Sequence, residues 1–231
     1  MKIAVIGAME EEVTLLREQF RATKTETVAN CEFAVGTLYG HEVILSKAGI
    51  GKVNAAMAAT ILMERYQPDV LINTGSAGGY NPELQIGDLV ISDEVRHHDV
   101  DVTAFGYAYG QVPQLPEAFK ADEQLMKTAQ AAAQVLKGIK AVKGLIVTGD
   151  TFMSDPAKVE FVRKTFPKLQ AAEMEGAAIA QVAHQFNIPF VVIRSLSDIA
   201  GQKSEISFEQ FIEKASMNSA NLVMEMIKSL D

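Results

Sequence analysis

Short runs of apolar, often β-branched residues alternate along this chain with longer, alanine-rich segments. The runs are apolar at consecutive positions and not at every second one, which is typical of strands that are covered on both faces. They predict six strands, at Lys2–Gly7, Val43–Lys47, Val70–Thr74, Leu89–Asp93, Gly144–Thr148 and Pro189–Leu196. Strands that alternate with helices predict an α/β fold with a mainly parallel sheet.

The segments between these strands have the spacing of amphipathic helices. Helices are predicted near Glu10–Phe20, Lys52–Tyr66, Asp122–Leu136, Pro156–Phe166, Gly176–Phe186 and Ser207–Leu230. The segment Glu26–His41 instead has the pattern of a β-hairpin, so the sheet is expected to be mixed.

Composition excludes several classes of protein. The 231 residues are 48% apolar and contain no low-complexity stretch, which predicts a single domain over residues 1–231. A net charge of -8 argues against nucleic acid or an anionic membrane surface as a partner. No apolar stretch approaches the roughly 20 residues that span a bilayer. The lone cysteine, Cys31, fits a reducing compartment, and we expect a cytoplasmic protein.

Carboxylates and glycines follow the predicted strands, where ligands of open α/β sheets bind. The first strand runs into Glu10–Glu12, the third into the glycine-rich segment Gly75–Gly79, and the last into Ser197-Asp198. The segment Glu173–Glu175 opens the alanine-rich helix before the last strand. If these ends meet, three carboxylates face one pocket beside a glycine-rich loop.

Glu12 is the carboxylate for which a functional role is favoured on sequence alone. Acidic residues in a first helical turn are stabilised by about 0.3–1 kcal/mol, which accounts for Glu10 and Glu11. Glu12 falls instead at the edge of the apolar stripe of its helix, where an unpaired carboxylate is costly.

For Asp198 taken alone a structural explanation is the better one, and Glu175 has a structural explanation as well. Asp198 could cap a turn or pair with Arg194. Glu175 could be a first-turn helix acid, and nothing in the pattern separates it from Glu173.

Two further motifs give no support for a cofactor or a metal. The glycine-rich loop lacks the G-x-G-x-x-G pattern, and Gly49–Lys52 lacks the spacing of a phosphate-binding loop. His97 and His98 are adjacent, so in a strand they point to opposite faces and do not easily share one ion.

Six segments carry a family resemblance that covers essentially the whole chain in order. They are Met1–Glu12, Gly49–Val53, Asn73–Gly79, Asp101–Tyr107, Glu173–Glu175 and Ser195–Asp198. Together they resemble the 5′-methylthioadenosine/S-adenosylhomocysteine nucleosidases, within the wider purine nucleoside phosphorylase family. The resemblance implies a three-layer α/β/α sandwich around a twisted mixed sheet, a homodimer, no cofactor, and adenine nucleosides as substrates. It also implies a role in methionine salvage and removal of a methylation by-product.

The resemblance implies specific roles for the three carboxylates. Glu12 would activate the attacking water, Asp198 would protonate adenine at N7 with Ser197 nearby, and Glu175 would accept hydrogen bonds from the ribose hydroxyls. Substrate-binding residues implied in the same way are Met9, Ile50, Ser76, Gly78, Phe152, Met153, Met174 and Phe208. The residues that a partner subunit would add to the pocket are Val102, Phe105, Tyr107 and Pro113.

The implied chemistry sets a requirement on the acid and leaves two alternatives to hydrolysis. A free Asp ionises near pKa 3.9, so the environment of Asp198 must raise its pKa if it is to donate a proton near neutral pH. The first alternative is a phosphorylase, or a nucleosidase for a related purine nucleoside such as futalosine. The second is a catalytically silent nucleoside-binding domain. Phosphate would need cations, whereas the first helix begins with acids and has no Arg before Arg17, which favours water as the nucleophile.

Overall fold

A computed structural model describes residues 1–202 and 204–230 of the chain, and within them ten strands form one sheet. The strands are β1 (Lys2–Gly7), β2 (Arg21–Val28), β3 (Cys31–Leu38), β4 (His41–Lys47), β5 (Val70–Gly79), β6 (Leu89–His97), β7 (Phe119–Lys120), β8 (Ala141–Thr148), β9 (Leu169–Glu173) and β10 (Phe190–Ile199). β1 pairs in parallel with β4 and β5, whereas β2, β3 and β4 form an antiparallel meander. The predicted mixed sheet is therefore confirmed.

Five of the strands close into a ring and do not continue as an open sheet. β10 pairs in parallel with β5 and antiparallel with β6, and β8 joins β6 to β9. The ring closes where Gly78 and Gly79, at the end of β5, pair with Ala172 and Ala171 of β9. This closure brings the carboxyl ends of β5 and β10 beside the end of β9.

Helices cover both faces of the sheet. They are α1 (Glu10–Gln19), α2 (Lys52–Tyr66), α3 (Glu123–Ala133), α4 (Pro156–Thr165), α5 (Gly176–Phe186) and α6 (Ser204–Ser229), with a short 3₁₀ helix at Thr103–Phe105. α6 packs against β5, β10, α1 and α3, while α2 packs against α5. The layered α/β fold agrees with the sequence-based prediction.

Several elements differ from the predictions in their bounds. The hairpin begins at Arg21 and not at Glu26, because β2 is a polar, largely exposed strand without an apolar pattern. β7 and β9 were not predicted, since each is short and β9 has two alanines at its centre. The last helix begins at Ser204, three residues before the predicted start.

In the parts of the chain that the structure describes, no helix combines the length and the apolar character needed to span a membrane.

Candidate active site

A cavity of about 380 Å³ lies at the carboxyl ends of β1, β5, β9 and β10, under the first turn of α6. It brings together the strand ends that carry the predicted carboxylates. Its lining residues are Ala8, Met9, Glu12, Ile50, Ser76, Ala77, Gly78, Phe152, Ala172, Glu173, Met174, Glu175, Ser197, Asp198, Glu205, Phe208 and Glu209.

Glu12 is buried at one side of this cavity and is held by four donors. The backbone N–H groups of Ala8 and Met9 donate to its Oε2 at 2.8 and 3.2 Å. The N–H and hydroxyl of Ser76 donate to its Oε1 at 2.9 and 3.2 Å. The inward position predicted from the apolar stripe is therefore confirmed, and the carboxylate is fixed in one orientation.

The glycine-rich end of β5 leaves room for both catalytic candidates. A Cβ atom at Gly75 would lie only 2.6 Å from Oε1 of Glu12, and one at Gly78 would lie 3.1 Å from Oδ2 of Asp198. Side chains at these positions would displace the carboxylates, so the glycines are needed for close approach.

Asp198 is presented to the cavity by a β-bulge. The register between β10 and β5 shifts between Leu196 and Asp198, so that Asp198 lies opposite Gly78. Such bulges redirect a side chain. The hydroxyl of Ser197 donates to Oδ1 of Asp198 at 2.9 Å.

The environment of Asp198 meets the requirement set by its implied role as an acid. Burial raises its pKa from an ordinary 3.8 to about 6, against the hydrogen bond from Ser197, which lowers it. The charge of nearby Glu205 contributes to this raised pKa. The carboxyl group therefore holds its proton closer to neutral pH than a free Asp does.

Arg194 pairs with the glutamates of the cavity and not with Asp198, which removes one structural explanation for Asp198. The side chain of Arg194 is buried, and its Nη2 donates to Oε2 of Glu173 and, at 2.8 Å, to Oδ1 of Asn73. Oε2 of Glu175 lies 3.7 Å from the same nitrogen.

The pKa values of the two glutamates beside Arg194 are shifted in opposite directions. Burial would raise the pKa of Glu173, but the charge of Arg194 and hydrogen bonds, first from Thr148, hold it below its usual value. Burial and then the charge of Glu173 raise the pKa of Glu175 to about 8. Glu173 is thus the permanent partner of Arg194, while Glu175 faces the cavity and can exchange a proton.

We expect Arg194→Met to lower the free energy of unfolding by about 3–5 kcal/mol, because it leaves the buried charge of Glu173 without its partner. Urea denaturation monitored by circular dichroism measures this change. The control is Lys127→Met, which breaks a pair that lies 3.8 Å apart on the exposed face of α3. That variant should lose less than about 0.5 kcal/mol. An equal, small loss in both variants would contradict the assignment of Arg194 as the compensating charge.

A second network, which the sequence analysis missed, fixes the loop before Phe152. Nζ of Lys52 lies 2.6 Å from Oδ1 of Asp99, whose Oδ2 accepts from the N–H of Asp150 at 3.0 Å. Oδ1 of Asp150 in turn accepts from the N–H of Lys52 at 2.7 Å. The adjacent N–H of Gly51 donates to Oε1 of Glu175 at 2.8 Å. The start of α2 therefore positions both this loop and Glu175.

Most of the predicted binding residues line the cavity, with some differences in how they do so. Phe152 and Phe208 meet edge to face with ring centroids 5.8 Å apart. Met153 is buried outside the lining, and its carbonyl accepts from the N–H of Gly201 at 3.3 Å. A contact of Met153 with a ligand, expected through its backbone, stays a prediction.

The residues expected to close a partner's pocket lie away from the cavity of their own chain. Phe105 is 82% exposed on the short 3₁₀ helix between β6 and β7. Val102, Tyr107 and Pro113 lie on the same connection, outside the cavity lining. Their role toward a second subunit stays a prediction.

Two acidic residues of the lining were not predicted. Glu205 and Glu209 lie with Phe208 on one face of α6, at helical spacing. Their helical spacing from Phe208 could have placed them on the same face, but the helix predicted from the sequence begins only at Ser207.

Within residues 1–202 and 204–230, no group of three or more His, Cys, Asp or Glu side chains is arranged to hold a metal ion.

Comparison with known proteins gives close similarity over the full length of the chain. The family model described as the phosphorylase superfamily matches residues 2–228. The 5′-methylthioadenosine/S-adenosylhomocysteine nucleosidase of Anoxybacillus flavithermus is 62% identical over 231 residues, which cover 100% of both chains.

Solved structures agree with the sequence comparison. The nucleosidase of the same name from Neisseria meningitidis, in complex with methylthio-immucillin-A, superposes with a TM-score of 0.97 at 49% identity and covers 99% of each chain. Futalosine hydrolase of Helicobacter pylori superposes with a TM-score of 0.94, but at 31% identity, over 100% of this chain and 98% of that one.

Proposed function

We propose that Asp198 and Glu12 are the catalytic acid and base of this chain. The chain belongs to the phosphorylase superfamily and, within it, to the 5′-methylthioadenosine/S-adenosylhomocysteine nucleosidases. It hydrolyses the N-glycosidic bond of both nucleosides and releases adenine and the 5-substituted ribose. This reaction is consistent with methionine salvage and removal of a methylation by-product. The proposal extends the substrates to 5′-deoxyadenosine, whose unsubstituted 5′ carbon fits the same apolar surroundings.

One observation carries the proposal: a carboxyl group with a raised pKa, Asp198, and a fixed carboxylate, Glu12, line the same cavity. Pairs of carboxyl groups in unlike environments are the usual basis for dividing acid and base roles. The volume of about 380 Å³ suits a nucleoside, since ligand pockets commonly enclose about 300–1,000 Å³.

In the proposed reaction, adenine leaves as a neutral base. Asp198 gives its proton to N7 as the bond between C1′ and N9 breaks, so the bonding electron pair moves into the purine ring. Water attacks C1′ of the oxocarbenium-like sugar, and Glu12 takes a proton from that water. One water molecule is consumed, and each of the two groups contributes a typical 10²–10⁴-fold.

Glu175 is proposed to bind the ribose hydroxyls. Its Oε1 already accepts from Gly51, and its raised pKa makes it sensitive to further donors. Hydroxyl groups that donate to the carboxylate favour its charged form and lower its pKa on binding. Met174 next to it packs against the sugar, and Phe152 stacks on the adenine.

The cations near the cavity argue for water and against phosphate as the nucleophile. A phosphorylase needs a cationic site for a divalent anion. Among the described residues, the lining of this cavity contains no Lys or Arg, and the nearby Arg194 is engaged by Glu173. The carboxylate of Glu12 lines the same cavity and would repel a phosphate there.

Adenine release from methylthioadenosine should therefore proceed at full rate without phosphate. The test is a spectrophotometric adenine-release assay in phosphate-free buffer, with and without added phosphate and with ionic strength matched by chloride. Equal rates are expected. A rate that appears only with phosphate would overturn the hydrolase and favour a phosphorylase. Futalosine is the comparison substrate, and preferred cleavage of futalosine would assign the chain to the more distant alternative.

We propose a homodimer, in which Val102, Phe105, Tyr107 and Pro113 of one subunit close the pocket of the other. The exposed position of Phe105 supports this, since a side chain that is 82% exposed in one subunit is free to contact a second one. The chain is further proposed to act as one nucleosidase domain over residues 1–231, in the cytoplasm, where its buried thiol Cys31 stays reduced.

A further inference from the structure

A second cavity, of about 620 Å³, adjoins the candidate active site. Ala8, Met9 and Ile50 line both cavities, so these residues form the boundary between them. The second cavity lies at the carboxyl ends of β1 and β4, where Gly7 and Lys47 are opposite each other in the sheet. It is therefore reached from the active site by passing the side chains of Met9 and Ile50.

Charges of both signs surround this second cavity. Nζ of Lys47 lies 2.7 Å from Oε2 of Glu10, and Lys47 is opposite Glu32 in the pairing of β3 with β4. Arg17 joins Glu10 to Glu32, with its Nη2 2.8 Å from Oε1 of Glu32. Hydrogen bonds from Lys47 and Arg17 lower the pKa of Glu10 to about 2, so Glu10 is charged at neutral pH. Lys47, Glu10 and Glu32 thus line the cavity, and Arg17 pairs with both acids from outside the lining.

The two substrates of the proposed function differ where this cavity begins. Methylthioadenosine ends in a methyl group on sulfur, whereas S-adenosylhomocysteine continues through a short aliphatic spacer to an ammonium and a carboxylate. The spacer suits the apolar boundary of Met9 and Ile50. The zwitterion needs a cation and an anion close together, and charge-assisted hydrogen bonds supply the recognition.

We propose that this second cavity binds the amino-acid end of S-adenosylhomocysteine, with Lys47 pairing with its carboxylate and Glu32 with its ammonium. The proposal rests on the proposed function. It assigns discrimination between the two substrates to residues outside the cavity where the glycosidic bond is cleaved.

The side of the active site that is lined by α6 is less suitable for a zwitterion. Its charged lining residues are Glu205 and Glu209. Two acids can attract the ammonium, but they repel the carboxylate beside it. The mixed charges at Lys47, Glu10 and Glu32 complement both groups.

The test compares kcat/KM for the two substrates in Lys47→Gln and Glu32→Gln. Each variant should lower kcat/KM for S-adenosylhomocysteine about fivefold, because a partly exposed ion pair contributes little more than that. For methylthioadenosine the change should stay below about twofold. Glu209→Gln is the matched control and should leave the ratio of the two substrates unchanged.

A substrate with an uncharged tail separates charge recognition from simple crowding. For 5′-butylthioadenosine, whose tail is apolar, Lys47→Gln should behave as the unmodified protein does. Equal losses for all three nucleosides would overturn the proposal, as would a change in substrate ratio in Glu209→Gln alone. Failure of the proposed function would look different, since methylthioadenosine would then give no adenine even with the unmodified protein.

Discussion

Asp198→Asn is expected to lose turnover by about 10²–10⁴-fold and, at the same time, to stabilise the fold above pH 6. Asn retains the shape of the side chain and can accept the hydrogen bond from Ser197, but it has no proton of suitable acidity for N7. Adenine release measures the first effect. The matched control is Asp69→Asn, an exposed residue just before the amino end of β5, which should keep full activity.

The stabilisation follows from the raised pKa of Asp198. The folded protein binds the proton of Asp198 up to pH 6, whereas an ordinary Asp loses it near 3.8. The stability linked to this proton is fully present below pH 3.8 and is lost as the pH rises through 6. Above that pH the buried charge is costly, and Asn removes it for a gain of about 1–3 kcal/mol.

Thermal unfolding at two pH values checks this account. At pH 8 the variant should unfold at a higher temperature than the unmodified protein, and at pH 4 the two should coincide. The unmodified protein should also lose kcat/KM about tenfold per pH unit above the apparent pKa of the free enzyme, near 6. Full activity of Asp198→Asn at any pH would refute the assigned acid.

Glu12→Gln is the second variant with a large expected effect, a loss of about 10²–10⁴-fold in kcat. The amide cannot take a proton from water. It also presents an NH₂ group to a site in which both carboxylate oxygens now accept hydrogen bonds, from Ala8 and Met9 on one side and Ser76 on the other. On one side of the variant side chain, the groups that now donate to Glu12 would face the NH₂ group, which is itself a donor.

Rapid-quench measurement of the first turnover, together with the affinity for adenine, separates the chemical step from binding. Adenine affinity should change little, because in the proposed complex adenine lies beside Asp198 and not beside Glu12. Glu11→Gln is the control, because the carboxylate of Glu11, next to Glu12 in the sequence, is exposed to solvent. If Glu12→Gln bound adenine normally and still turned over at the full rate, Glu12 would not be the base.

The layered fold and the position of the cavity could be predicted because both depend on local patterns. The bounds of β1 and α2 match the prediction, since buried parallel strands and amphipathic helices have distinct periods. The inward position of Glu12 followed from the same periodicity. The raised pKa of Asp198 could be required on chemical grounds, but its cause, burial at a bulge, is visible only in three dimensions.

Other features of the site depend on contacts between distant parts of the chain. The sequence offered Arg194 as a partner for Asp198, yet its guanidinium reaches Glu173, which no spacing indicates. β5 was predicted to end at Thr74, because the glycines that follow carry no strand propensity. The strand continues to Gly79, because its end pairs with β9. The network of Lys52, Asp99 and Asp150 likewise joins segments that are far apart in sequence.

The ring of strands that closes at Gly78 and Gly79 has a consequence for how the protein acquires its activity. The proposed base on α1 and the proposed acid on β10 come from opposite ends of the chain, and β9 must pair with β5 before the pocket is enclosed. Pairings between such distant segments carry a large loop-closure entropy and form slowly. No partial chain contains the pocket, so during refolding the return of adenine release reports completion of the whole architecture and not of any part.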